Sequence, residues 1–154
     1  EFLQELNIDF LHLDVMDGHY VPRYGIYPEI VEEMAKKTNI SMDLHIMTQN
    51  PEFCIREFIH IENIEYISVH LKGNEDILDQ LSEMVRNNNK KFGIVIDLDI
   101  DFQLHQGLVS RYSADSIMFM GIIPGVLNQQ HRPDILLSNV DALLSKTENQ
   151  ILKI

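Results

Sequence analysis

Two short stretches of the chain set histidine and aspartate at alternate positions. His12 and Asp14 flank Leu13, and Asp43 and His45 flank Leu44. An i, i+2 spacing puts both side chains on one face of a β-strand, so each stretch, if extended, presents an imidazole and a carboxylate together. Two imidazoles and one carboxylate from neighbouring strands make a three-ligand set for a divalent metal such as zinc, iron, manganese or cobalt, with positions left for a substrate. His12, Asp14 and His45 are the expected ligands. Asp43 supplies either a fourth oxygen or a partner that orients one imidazole. A lone histidine on a strand is more often a hydrogen-bonded core residue than a ligand; the recurrence of the pair is what argues for metal.

The elements that must position these groups are legible as apolar clusters rich in branched residues, at 10–15, 40–47, 66–71, 92–96, 116–121 and 151–154. Between them, segments 27–37, 51–61, 75–88, 104–112 and 134–146 carry helical spacing. Pro51 suits a first helical turn with Asn50 as cap, and Asn74 is a candidate cap for the third helix. Alternation of strand and helix implies parallel strands, in either an open doubly wound sheet or a closed barrel. An open nucleotide-binding sheet would carry a G-x-G-x-x-G turn, which does not occur. Instead, His12 and Asp14, Asp43 and His45, His70 and Asp97 fall near the C-terminal ends of successive strands, which converge on one mouth in a (β/α)8 TIM barrel. Six of its eight strands are recognisable.

Length and composition set the outer bounds. The 154 residues suit one domain, and 45% hydrophobic with 23% charged residues is globular composition. Twelve basic against 24 acidic residues leave a net charge of −12, which disfavours nucleic acid and anionic membrane partners. The longest apolar run, 117–126, is broken by Pro124 and is too short to span a membrane. The opening residues read as the end of a helix and not as a signal peptide. A single cysteine, Cys54, excludes an intrachain disulfide and points to a cytoplasmic location.

The stretch from His12 through Leu13-Asp14-Val15-Met16-Asp17-Gly18-His19-Tyr20-Val21 to Pro22 resembles the signature of the ribulose-phosphate 3-epimerases. Asp43-Leu44-His45-Ile46-Met47 followed by Pro51 resembles their second signature, and Met118-Phe119-Met120 through Pro124-Gly125 to Gln129 resembles a third. The resemblance implies a TIM barrel that interconverts pentulose or hexulose phosphates differing at C3, using a divalent metal and two acid/base aspartates. It makes His12, Asp14 and His45 metal ligands and Asp14 also catalytic. It places Met16, Met47 and Met120 under the substrate's enediolate, His70 in contact with substrate, and the backbone of Gly125 against the phosphate. The ligand is thus a small sugar phosphate, and a homo-oligomer is expected. A sugar-phosphate decarboxylase would carry Asp-x-Lys-x-x-Asp, but Met16 stands two after Asp14.

Departures from the pattern bear on substrate. Arg23 replaces the usual Asn after the proline, Asp97-Leu98-Asp99 replaces the usual turn after its strand, and Gly121 stands for a threonine. Val126-Leu127-Asn128 replaces a segment with paired glycines, which would let backbone N–H groups approach a phosphate. A non-catalytic sugar-phosphate-binding or interaction protein on the same barrel is therefore the alternative reading. His19, His60, His105 and His131 read as surface or loop residues, and 29–33 as a solvated helix face. The 154 residues read as one partial barrel lacking its first strand, the end of the seventh and the eighth. The second catalytic aspartate is then expected just after Ile154, and the 154 residues alone are expected to be inactive.

Overall fold

The computed structural model describes residues 8–100, 111–112, 114–144 and 151–153. Among the described residues, six strands and four helices follow in the order β1 (Phe10–Met16), α1 (Pro28–Ala35), β2 (Ser41–Met47), α2 (Pro51–Phe58), β3 (Ile64–His70), α3 (Leu78–Asn87), β4 (Lys91–Ile96), β5 (Ser116–Phe119), α4 (Pro133–Leu144) and β6 (Ile151–Lys153). All neighbouring strands are parallel, and their order in the sheet is their order in the chain. A doubly wound sheet reverses strand order at a switch point. Here it never reverses, which is the progression of a β/α barrel wall.

Strand alternation divides the sheet into two chemically distinct faces. Leu13, Val15, Leu44, Ile46, Ile67, Val69, Ile94, Ile96, Ile117 and Phe119 join one buried cluster with Val31 of α1, Ile55 and Phe58 of α2, Leu81 and Val85 of α3, and Val140 of α4. Removing each such side chain from water contributes about 1.5–3 kcal/mol. The intervening residues form the other face: His12, Asp14 and Met16; Asp43, His45 and Met47; Tyr66, Ser68 and His70; Gly93 and Val95. The expected site residues on β1, β2 and β3 fall on this second face. Sheet and helices thus hold the backbone from one side while the opposite side remains free to carry polar groups.

Local signals explain most boundaries. Pro28 and Pro51 each open a helix, where a missing N–H costs nothing. Asn50 caps α2 as expected, its side chain accepting from Phe53 N at 3.1 Å. Asn74 does not cap α3. Its Nδ2 donates to His70 O at 2.9 Å, and 71–77 form a run of turns, so the helix starts only at Leu78. The physical reason is burial: a side-chain amide this enclosed must find a partner, and the strand-end carbonyl is the one in reach. β3 begins two residues earlier than its apolar run suggests, and β5 ends at Phe119. The expected helix over 104–112 lies almost wholly outside the described residues, and the opening residues expected to end a helix, 145–146 and Ile154 lie outside them.

Candidate metal centre

The site is assembled by strand register. β1 pairs with β2 so that His12 faces Asp43 and Asp14 faces His45 across the ladder. Each acid therefore meets the imidazole of the adjacent strand. Asp14 Oδ1 lies 3.1 Å from His45 Nδ1 and 3.3 Å from His12 Nε2. One ligand atom from each of His12, Asp14 and His45 falls within 4.8 Å of the other two, a spacing that a single cation could bridge. His45 is buried, whereas the side chains of His12 and Asp14 are 43% and 49% exposed, so a small ligand can reach the cluster.

The donor set fits a divalent ion beyond mere proximity. Asp43 Oδ2 sits 2.8 Å from His12 Nδ1, on the ring edge away from Asp14. A carboxylate there holds the proton on Nδ1 and turns the Nε2 lone pair toward the cluster, the usual support of a metal-binding imidazole. Of the two roles open to Asp43, the geometry favours orienting His12. On the buried side, His45 Nε2 meets His70 Nε2 at 2.8 Å, and His70 Nδ1 meets Asp97 Oδ2 at 2.9 Å.

Without a cation, these contacts shift the charges in opposite directions. Hydrogen bonds to Asp14 and then Asp43 push the His12 pKa up to about 9, against a smaller cost of burial. Hydrogen bonds from His12 and His45 hold the Asp14 carboxyl well below the usual range. Burial pushes His45 the other way, toward its neutral form, which is the form that ligates metal. The cluster is thus one anionic oxygen between two imidazoles of unlike basicity.

The remaining expected site residues line the same strand face or its rim. Met16 and Met47 are register partners one step beyond Asp14 and His45, Met47 being buried and Met16 half-buried. Met120 lies just past β5 and is half-buried, its N–H donating to Ile96 O at 2.9 Å. His70 is fully buried, with one ring nitrogen on His45 and the other on Asp97. Gly125 has φ +71° and packs on the β1–α1 loop, where an added Cβ would lie 2.8 Å from Val21 Cβ. The loop around it is closed by Gln129, whose Oε1 accepts from Ile123 N at 2.7 Å and whose Nε2 donates to Val126 O at 2.8 Å. A cleft of about 360 Å³ opens beside this loop, lined by Tyr20, Val21, Lys72, Gly73, Asp97, Ile123 and Pro124. It adjoins the rim and does not include the His12, Asp14 and His45 cluster itself.

Three supporting residues escaped the reading of spacing. Asp17 accepts from His19 N and Tyr20 N at 2.8 Å and from Gln49 N at 2.7 Å, tying the loops that follow β1 and β2. Gly25 runs back along β1, its N–H donating to Met16 O at 3.0 Å, and an added Cβ would lie 2.3 Å from Asp14 O. Gly93 lies between Ser68 and Ser116, where a Cβ would meet their Oγ atoms at 2.2 and 2.5 Å. A glycine inside a strand does signal close approach, but not what approaches. His19, His60 and His131 are exposed, as expected of surface or loop residues, and His60 pairs with Glu32 at 2.8 Å; His105 lies outside the described residues.

Comparison with known proteins adds an observation independent of this geometry. The model of the ribulose-phosphate 3-epimerase family matches residues 1–154. The chain is 31% identical to the ribulose-phosphate 3-epimerase of Aquifex aeolicus over 122 residues, covering 79% of this chain and 53% of that protein. It is 31% identical to the enzyme of that name from Helicobacter pylori strain J99 over 124 residues, 80% of this chain and 55% of the relative. The counterpart from Chlamydia pneumoniae is 27% identical over 134 residues, 87% and 57% of the respective lengths. The chain thus spans about half the length of the curated relatives it matches.

Proposed function

Because the chain belongs to the ribulose-phosphate 3-epimerase family, we propose that the full-length protein epimerises a ketose phosphate at C3, converting D-ribulose 5-phosphate to D-xylulose 5-phosphate or acting on a close analogue. The observation that carries this reading is the Asp14 carboxylate held between His12 and His45 on the open face of the sheet. His12, Asp14 and His45 would hold a divalent metal ion, zinc, iron, manganese or cobalt. When bound, such an ion polarises the substrate's carbonyl and so acidifies the neighbouring C3–H.

The chain's own residues supply the rest. Asp14 is ionised at neutral pH and accepts the C3 proton. Asp43 keeps the His12 ring from rotating away. Met16, Met47 and Met120 give the reacting carbons an apolar floor that excludes water. Gly125, already in a left-handed conformation, offers backbone to the phosphate. Inversion needs a second acid/base group on the opposite face of the substrate, which we assign to an aspartate outside residues 1–154. The same reading makes the protein a cytoplasmic, homo-oligomeric enzyme of pentose phosphate metabolism, with no nucleic acid or membrane partner. The net charge of −12 disfavours nucleic acid and anionic membranes as partners, and among the described residues no helix is long and apolar enough to cross a membrane.

The test is a coupled assay for D-xylulose 5-phosphate with the full-length protein, with and without chelator. Turnover that chelator abolishes and metal restores is expected, and Asp14→Asn should lower it by about 10²–10⁴. Turnover indifferent to chelator would remove the metal from the reading. The substitution of Val126-Leu127-Asn128 for a glycine-bearing phosphate loop favours one competitor, a barrel that binds sugar phosphate without reaction. Binding with no turnover of any ketose phosphate would establish it.

A further inference from the structure

We infer that Asp97 is a positioning residue for the cation site, acting through His70 on His45; the inference rests on the metal reading above. Four groups stand in line: Asp14, His45, His70 and Asp97, each in contact with the next at 3.1, 2.8 and 2.9 Å. The His45 and His70 rings are inclined by only 22°, with centroids 4.9 Å apart and Nε2 atoms 2.8 Å apart. They therefore meet edge to edge, the arrangement of an in-plane N–H···N hydrogen bond.

Counting protons along this line gives it a direction. A neutral imidazole has one N–H donor and one acceptor nitrogen. Asp97 is an acceptor when ionised, so His70 Nδ1 carries the proton and donates to it. His70 Nε2 is then the acceptor, so His45 Nε2 must donate. That leaves the lone pair of His45 on Nδ1, which faces Asp14 and the centre of the ligand set. Every contact is satisfied with two neutral imidazoles and two carboxylates only when a cation, and not a proton, lies between Asp14 and His45.

Burial makes the arrangement stiff. His70 has no solvent exposure, and Asp97 is 7% exposed. The Tyr20 ring covers His70 at 5.1 Å, and Asn74 holds its carbonyl at 2.9 Å. Asp97 Oδ2 is the acceptor that His70 Nδ1 meets, at 2.9 Å. Removing that acceptor would free His70 to take the other tautomer, and His45 would then turn its lone pair toward His70 and away from the cation.

The experiment uses the full-length protein and zinc alone. Imidazole ¹⁵N spectra of the zinc-loaded wild type should show His70 protonated at Nδ1 and His45 at Nε2. Zinc affinity, measured by competition with a chelating dye, should fall roughly 10–100-fold in Asp97→Ala and recover most of that loss in Asp97→Asn, whose amide oxygen still accepts. Three results would overturn the inference: His70 protonated at Nε2 in the loaded wild type, an Asp97→Ala variant that binds zinc as the wild type does, or one that loses thermal stability alone with both tautomers retained. A wild type that binds no zinc would overturn the metal reading itself, and is distinguished from the other cases by the wild-type titration. The wild-type spectra decide the matter even if Asp97→Ala does not fold.

Discussion

His12 is the residue through which pH enters this site. Two carboxylates raise its folded pKa to about 9 from an ordinary 6.5, so in the cation-free protein it holds a proton at neutral pH. The sign of the linkage follows: the stabilisation from this charged cluster is fully present below pH 6.5 and lost as pH rises through about 9. Asp14 moves in the opposite sense, and its share is lost only in acid. On the proposed reading a divalent cation displaces the His12 proton, so metal affinity should rise with pH, by up to about tenfold per unit between pH 6.5 and 9. Competition titrations across that range, in buffers of unlike ionisation enthalpy, would register the released proton. A flat profile would mean that His12 is not a ligand. The i, i+2 spacing made His12, Asp14 and His45 legible in the sequence, because alternation on a strand is purely local. The contacts of His70 and Asp97 were not legible, since which ring nitrogen meets which partner depends on register across β2, β3 and β4.

At the scale of elements, the strands and helices were largely readable, and the exceptions have particular causes. Pro28, Pro51 and Asn50 encode helix starts in adjacent residues, whereas the start of α3 is decided by a tertiary demand on Asn74. The same contrast applies to Gly93. Its strand was evident from composition, but its lack of a side chain is required by Ser68 of β3 and Ser116 of β5, which approach over its Cα. All three lie in the register layer of Asp14 and His45, and both serines are buried. An added methyl would meet both serine Oγ atoms, at 2.2 and 2.5 Å, and lie 3.0 Å from Ser68 Cβ, so the serines must turn aside and their strands adjust, and Gly93→Ala should destabilise the fold by about 1–3 kcal/mol. A fall of several degrees in Tm is expected, together with weaker metal binding as His45 shifts with its layer. Urea unfolding with an unchanged midpoint would show that the serines rotate aside at no cost.

The whole molecule poses a question of closure. β1 and β6 each have one sheet neighbour among the described residues, and the proposed ligands His12 and Asp14 stand on β1 itself. Unpaired parallel edges expose a row of backbone donors and acceptors, which a β/α barrel removes by joining first and last strands. The relatives are nearly twice as long as the segments they share with this chain. We therefore propose that further strands, supplied from outside residues 1–154, connect β6 to β1 and bring the second acid/base group to the face opposite Asp14. On the proposed reading, turnover requires both faces of the substrate to be served, whereas the three proposed metal ligands all stand on β1 and β2. The two properties should consequently separate. A protein consisting of residues 1–154 alone should retain measurable zinc affinity through His12, Asp14 and His45, show no epimerisation in the coupled assay, and self-associate through its open edges in size-exclusion chromatography. Epimerisation by that shorter protein would overturn the argument, because it would place both proton-transfer groups within the six strands already described.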